Sequence, residues 1–340
     1  MINDQTLLVE KMQLAITHQL QQNFADFLSG YPDEYRRMAQ YQLGLESEKI
    51  SSGSQGKRLR PLFVLLTCDF LGGDWHRALP AAAGVELLHN FSLVHDDIQD
   101  GSKTRRGRES VWKVWGIPQA INTGDALLNL AYLSVEGLRE SLGVQAAAEA
   151  LFVLQRTCLE LTGGQYFDMA FETAVSVPLE FYWQMIDGKT AALLGTCFKL
   201  GAMAAGVDSI IQQEFLECGR LLGLAFQVQD DFLGIWGDES QTGKPVFADL
   251  LSKKKTYPVL LGVESNKRFA AVWTRDEKIE LGDARQLADY LEDEGIKEKT
   301  AGKYRALYSK ALQILENRSI IGNSAHPLIE IVRSLECRKA

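Results

Sequence analysis

The chain has 340 residues, 46% hydrophobic and 24% charged, the balance of a soluble globular protein with room for one large domain or two ordinary ones. A formal charge of −8 and a pI near 5.3 argue against a nucleic-acid-binding surface, while leaving room for local basic pockets. The five cysteines, Cys68, Cys158, Cys197, Cys218 and Cys337, have no CxxC spacing, which argues against a zinc site or a disulfide framework and fits reduced thiols in a cytoplasmic protein.

Residues 1–30 mix Asp4, Glu10, Lys11 and Asp26 with apolar positions, the pattern of an amphipathic helix and not of a signal peptide. In Gly56-Lys57-Arg58-Leu59-Arg60-Pro61, three cations precede an apolar helix, with Pro61 suited to a first helical position. Helix N-termini favour anions, so the run reads either as a diphosphate clamp or as a solvated basic turn. Helical periodicity follows through Val85–His89, Asp125–Leu130 and Ala147–Leu161.

The stretch from Glu86 to Asp100 holds the first chemical signal. At 100° per residue, His89, Ser92, Asp96 and Asp100 fall within one narrow arc of an otherwise apolar helix. Such an arc is costly to bury without charge partners, and metal ions on a bound diphosphate would supply them. Mg²⁺ is usually held by one or two carboxylates together with phosphate and water oxygens. Arg105-Arg106-Gly107 follows Asp96-Asp97-Ile98-Gln99-Asp100 closely, which favours a diphosphate site over an ordinary exposed face.

Gln165 and Asp168 are weak signals individually, and Lys189-Thr190 read alone is a helix-end charge that reaches the surface. Ala191 to Val207 is apolar but interrupted by Lys199, so a buried core helix is expected there and no membrane span. The second acidic cluster is Gln229-Asp230-Asp231, trailed by Gly243-Lys244-Pro245 and Lys253-Lys254-Lys255-Thr256-Tyr257-Pro258. Residues 237–245 and 262–282 read as surface loops or loop-flanked short helices, and no strand pattern is evident. The expected architecture is all-α.

Taken in order, these motifs resemble those of the trans-isoprenyl diphosphate synthases, or polyprenyl synthetases: Gly-Lys-Arg-Leu-Arg-Pro, His89, the first acidic motif with Arg-Arg-Gly, Lys-Thr, Phe-Gln-x-Gln-Asp-Asp, Gly-Lys-Pro and Lys-x-Thr-x-Pro. The resemblance spans at least residues 56–258 and is most like the geranylgeranyl diphosphate synthases. It implies a single domain over 1–340, a large isoprenoid-synthase-like helical bundle around a central active-site cavity, with residues 262–340 as C-terminal helices. It also implies a homodimer, no integral membrane segment and a cytoplasmic location.

By the same resemblance, Asp96, Asp100 and Asp230 would hold three Mg²⁺ on an allylic diphosphate, with Asp97 and Asp231 completing the two motifs. Arg105, Lys189, Lys254 and Lys244 would bind that diphosphate. Lys57, Arg58, Arg60, His89 and Arg106 would hold isopentenyl diphosphate, and Thr190 and Gln227 would stabilise an allylic cation. The family's third aspartate of the second motif is here Gly234, with Asp238 a candidate to compensate, and Gln55 replaces the first glycine of a Gly-Gly-Lys.

Product length follows from Phe91, five residues before Asp96 and roughly 7.5 Å away along a helix. An aromatic there with the small Ser92 beside it resembles a geranylgeranyl (C20) enzyme, with C15 and C25 as neighbours; ordinary core packing is the alternative role for Phe91. Two rival readings remain, a class I terpene cyclase and a non-catalytic partner subunit. The Lys57, Arg60 and His89 constellation argues against the first, and the presence of both acidic motifs against the second.

Overall fold

The computed structural model describes residues 4–45, 58–238, 246–275, 278–318 and 326–337. Lys57 and Lys244 lie outside these residues, as does most of the 237–245 loop. The described chain is all-α apart from one small hairpin. It forms two compact units: residues 1–158, 196–216 and 326–328 make the first, and 159–195, 217–325 and 329–340 the second.

In the first unit, α1 (Asp4–Leu28) buries Met12, Ile16, Leu20, Phe24 and Leu28, one side chain per turn. Each such burial contributes about 2 kcal/mol, so this stripe fixes the helix despite its polar outer face. Helix α2 (Asp33–Leu43) ends at Gly44, whose φ of 68° lets its N–H return to Tyr41 O at 3.0 Å. Helix α3 (Leu59–Phe70) begins after Arg58, and Pro61 is its third residue, two positions later than the sequence suggests. Then come a 3₁₀ turn (Trp75–Ala78), α4 (Leu79–Gln99), the strands β1 (Thr104–Arg105) and β2 (Arg108–Glu109), α5 (Val111–Trp115), α6 (Ile117–Glu136), α7 (Leu138–Leu142) and the start of α8 (Val144–Thr173). Residues 196–205 of α10 (Ala192–Ala205) also belong to this unit.

Helices α4 and α6 approach closely at two points. A Cβ on Gly84 would stand 2.5 Å from Val135 Cγ2, and one on Gly124 would stand 2.2 Å from His95 Nε2. With α6 fitted against both ends of α4, the last turn of α4 is held in place, and that turn carries the first acidic motif.

The second unit takes the end of α8, α9 (Leu179–Ile186), a π-helical turn (Asp187–Ala191), the start of α10 and most of α11 (Ser209–Trp236). It continues through α12 (Ala248–Leu251), α13 (Tyr257–Glu264), α14 (Arg268–Trp273), α15 (Leu281–Asp293), α16 (Ile296–Arg318) and most of α17 (Pro327–Glu336). Its C-terminal core packs Ile235, Leu250, Val259, Phe269, Leu287, Leu291 and Ile296 together. The apolar stretch after Lys189 is indeed a buried helix. No helix among the described residues is long and apolar enough to cross a membrane.

Candidate active site

The candidate residues form two clusters, one in each unit. In the first, Asp96 is half-buried near the end of α4, and Asp100 is exposed at its C-cap, one turn on. Asp97 between them points inward, 1% exposed, and accepts Arg105 Nε at 2.8 Å and Nη2 at 2.6 Å on a single oxygen. Burial pushes the Asp97 carboxyl upward, and the Arg105 guanidinium opposes that shift. Asp97 therefore seats the arginine hairpin, while Asp96 and Asp100 face outward as a pair of oxygen donors.

The hairpin joins β1 to β2 by two residues, Arg106 and Gly107, with φ of 52° and 75°. Both central residues have positive φ, as a tight right-twisted hairpin requires. An arginine in that region costs on the order of 1 kcal/mol, a strain typical of functional turns. The hairpin is held from three sides. Arg105 binds Asp97, Arg108 lies 3.8 Å over the Tyr41 ring, and the Tyr41 hydroxyl donates to Glu109 O at 2.8 Å.

The three predicted cations before α3 separate. Lys57 is outside the described residues. Arg58 turns inward: it is 8% exposed and donates to Thr17 Oγ1 at 2.7 Å and Leu43 O at 3.1 Å, tying α1 and α2 to the start of α3. Arg60 lies with Nη1 3.2 Å from His89 Nε2. A guanidinium can only donate, so His89 Nε2 must be the acceptor and the ring is neutral. Burial first, and then Arg60, Arg106 and Arg105, drive the His89 pKa well below its ordinary value. Phe91 is 6% exposed, its ring set edge-on to His95 with centroids 4.9 Å apart, and Ser92 donates to His89 O at 2.9 Å.

In the second unit, a cavity of about 140 Å³ is lined by Asp168, Tyr182, Met185, Lys189, Gln227, Asp230, Asp231, Lys254, Lys255 and Thr256. Six of these ten residues carry formal charge, three of each sign, which suits a ligand that arrives with both anionic oxygens and cations. Lys189 sits in the π turn and pairs with Asp168. That turn is clamped by glycines: a Cβ on Gly164 would lie 2.2 Å from Lys189 N, and one on Gly188 would lie 2.6 Å from Glu160 O. Thr190 Oγ1 donates to Gln227 Oε1 at 3.0 Å, and Gln227 Nε2 donates to Asp231 Oδ1 at 3.1 Å.

Asp231 is 2% exposed, and its other oxygen accepts the Tyr182 hydroxyl at 2.6 Å and Tyr257 N at 3.0 Å. Burial pushes its pKa up to about 6 against the opposing pull of Lys254, Tyr182 and the Tyr257 N–H. At Lys254 packing works against the charge, but Asp231, Asp249, Asp168 and Asp230 outweigh it and keep the ammonium above its ordinary value. Asp230 is half-buried at the cavity. Neighbouring Gln229 faces away, accepting Tyr308 Oη at 2.8 Å and donating to Glu336 O at 3.2 Å.

Sequence reading missed Tyr182, Met185 and Asp249, and gave Asp168 little weight. Tyr182 carries no motif, and its partner Asp231 is remote in sequence. Gly164 and Gly188 were the available signal, because a glycine inside a helical stretch often has a packing reason, here a close backbone approach. Asp238 is exposed. Cys68, Cys158, Cys197 and Cys218 are buried and in no disulfide, and burial pushes Cys68 and Cys197 up to about 12.

The sequence matches the polyprenyl synthetase family over residues 46–291. The chain belongs to that family. A geranylgeranyl diphosphate synthase of Mycobacterium tuberculosis (strain ATCC 25618 / H37Rv) is 43% identical over 235 residues, 68% of this chain and 66% of that protein. A geranylfarnesyl diphosphate synthase of Aeropyrum pernix is 36% identical over 310 residues, 90% of this chain and 95% of that protein. The crystal structure of a geranylgeranyl pyrophosphate synthetase from Pyrococcus horikoshii Ot3 superimposes with a TM-score of 0.86 at 29% identity, covering 98% of each chain. The fold is the all-α isoprenoid synthase fold of this family, and the family is one of prenyl-transferring enzymes.

Proposed function

We propose that this polyprenyl synthetase condenses an allylic diphosphate with isopentenyl diphosphate, head to tail, to give a short all-trans prenyl diphosphate of twenty carbons. The observation that carries the reading is the cavity where Lys189, Lys254 and Asp230 converge on one space. A diphosphate carries several anionic oxygens, and two ammonium groups with a metal-binding carboxylate are the chemistry that receives it.

Asp96, Asp100 and Asp230 would hold Mg²⁺, three ions per site. These are oxygen donors that are exposed or half-buried, as a hard cation that keeps part of its water shell requires. When bound, Mg²⁺ supplies neutralisation of the leaving diphosphate's charge. Arg105, Lys189, Lys254 and Lys244 bind the allylic diphosphate. Asp97 acts through Arg105, and Asp231 acts through Lys254 and Gln227. Arg60, Arg106 and Lys57 take isopentenyl diphosphate, with neutral His89 orienting Arg60; Arg58 serves the scaffold. Thr190 and Gln227 supply oxygens that would stabilise the positive charge developing on the allylic carbon as its electron pair leaves with diphosphate.

The isopentenyl double bond attacks C1 of the allylic chain, and the C1–O bond breaks with its electron pair leaving on diphosphate. A proton then leaves the adduct for the released diphosphate, so no side-chain base is needed. Phe91 limits the chain, with Ser92 leaving space beside it, which favours C20, with C15 and C25 as the neighbouring lengths. The protein acts in the cytoplasm as a homodimer, and the homodimer is supported by exposed Ile117 and Ile121 one turn apart on α6 and exposed Phe152 on α8.

The test is incubation with Mg²⁺, isopentenyl diphosphate and dimethylallyl, geranyl or farnesyl diphosphate in turn, followed by dephosphorylation and mass analysis. A C20 alcohol that disappears with EDTA is expected. A C15 or C25 alcohol corrects the length alone. A cyclic product formed without isopentenyl diphosphate, or activity only after adding a second protein, refutes the reading.

A further inference from the structure

Lys189 reaches the cavity from the π-helical turn Asp187–Ala191, in which the Ala192 N–H returns to Asp187 O, five residues back. Turns of this width are rare and cluster at functional sites. The close approaches at Gly164 and Gly188 set how near the turn can come to α8, but a close approach does not stop it from lifting away. Rewinding it by one residue to an α-helical turn would swing Lys189 by about 100° about the axis, out of the space it shares with Asp230 and Lys254.

One side chain ties the turn down. Arg220 of α11 places Nη2 3.5 Å from Asp187 Oδ2 and donates through the same nitrogen to Glu160 Oε2. A single guanidinium thus joins α11, the first residue of the π turn and the residue of α8 whose carbonyl faces Gly188. Asp187 is tied twice, by its side chain to Arg220 and by its carbonyl to the N–H that closes the turn. Arg220 is itself fixed, because it lies between Gly219 and Gly223, at both of which a Cβ would meet the main chain of residues 191–195. Burial raises the Asp187 pKa, and Arg220 is the charge that opposes the rise. None of these three side chains lines the cavity; Lys189 does.

We propose that Arg220 is a positioning residue for Lys189: braced on Glu160, it holds Asp187 and so keeps the π turn wound with the Lys189 ammonium directed at a diphosphate oxygen in the cavity. Asp168 pairs with that ammonium, whereas Arg220 governs the main chain that carries it. The inference rests on the prenyl diphosphate reading of the same cavity. It predicts that the Arg220–Asp187 pair matters to the diphosphate of one substrate only, and that its effect reaches that substrate through Lys189.

The test is steady-state kinetics on Asp187→Asn, Arg220→Met and Lys189→Ala, and on Asp187→Asn combined with each of the other two. The melting-temperature shift produced by Mg²⁺ plus inorganic pyrophosphate is a second readout. Asp187→Asn keeps the volume and removes the charge that Arg220 grips; Arg220→Met keeps an unbranched stem and removes the guanidinium. Each should raise KM for the allylic diphosphate on the order of tenfold, leave KM for isopentenyl diphosphate unchanged, and shrink the pyrophosphate-induced shift. The two together should do no more than the larger alone, since they break one contact, and Asp187→Asn should add nothing in the Lys189→Ala background. Folded variants that melt lower but keep the allylic KM and the pyrophosphate shift make Arg220 a brace of the fold alone and overturn the proposal. An equal rise in both KM values overturns it too, as does an effect of Asp187→Asn that multiplies with that of Lys189→Ala. Should Arg220→Met not fold, Asp187→Asn alone decides. If the unaltered protein turns over none of the substrates, the prenyl reading fails by itself, and the pyrophosphate shift in the same variants still decides the role of Arg220.

Discussion

One oxygen of the buried Asp97 carboxylate receives two donors of Arg105, at 2.8 and 2.6 Å. The second aspartate of the first motif is therefore spent on seating an arginine and not on presenting oxygen to a ligand. Arg105→Ala would strand that carboxylate in the interior. We expect a loss of about 3 kcal/mol of stability in urea denaturation, beyond any loss of substrate affinity. Asp97→Asn, which retains an acceptor oxygen, should lose less, and equal stability in all three proteins would contradict this assignment.

The Asp231 carboxyl has a pKa of about 6 in the folded protein, against roughly 3.9 in an unfolded chain. The folded state holds its proton more tightly, so the stabilisation from protonated Asp231 is complete below about pH 4 and is lost as pH rises through about 6. The difference amounts to roughly 3 kcal/mol. Melting curves of metal-free protein across this range should show stability falling with pH, and Asp231→Asn should flatten that slope. An unchanged slope in the variant would place the titrating group elsewhere.

Gly188→Ala sets a new methyl 2.6 Å from Glu160 O, a backbone atom that cannot rotate away. The π turn must shift, and Lys189 shifts with it. The expected outcome is a stability loss of about 1–3 kcal/mol together with a raised KM for the allylic diphosphate. Calorimetry and kinetics on the same preparation check both parts. A loss of stability with unaltered kinetics would mean that Lys189 tolerates the displacement.

Phe91→Ala removes a ring that is buried edge-on against His95. The dominant product should lengthen by one or more five-carbon units, read by mass after dephosphorylation. If Phe91 only fills the core, the variant will melt lower and keep its product length.

The helices were legible because apolar residues recur along them with helical period, as in Met12, Ile16, Leu20 and Phe24. The outward arc of Asp96 and Asp100 was legible for the same reason. What separated Arg58 from Arg60 was not. Two cations of one short run face opposite tasks because Arg58 adopts a φ of 43°, and nothing in the local sequence announces that torsion. The Arg106-Gly107 turn was hidden likewise, since it puts an arginine where asparagine or aspartate would have signalled a tight hairpin. Gly234 stood out only as a missing carboxylate. The Asp249 carboxylate that fills its side-chain space is brought there by tertiary packing that no sequence period encodes.

Around Lys189, glycines 164, 188, 219 and 223 each bring backbone against backbone: Gly219 would meet Leu194 O at 2.5 Å, and Gly223 would meet Ala191 Cα at 2.5 Å, if either gained a Cβ. Every one of these positions is closed to variation, because any substitution moves main chain. Phe91 and Ser92, by contrast, are side chains whose exchange leaves main chain alone. The protein thus divides its tolerance for mutation unequally. On the proposed function, the turn that carries Lys189 toward the diphosphate is nearly frozen, while the two side chains proposed to set product length can be exchanged one codon at a time. The same proposal lets a lineage explore new chain lengths while the main chain around Lys189 stays as it is.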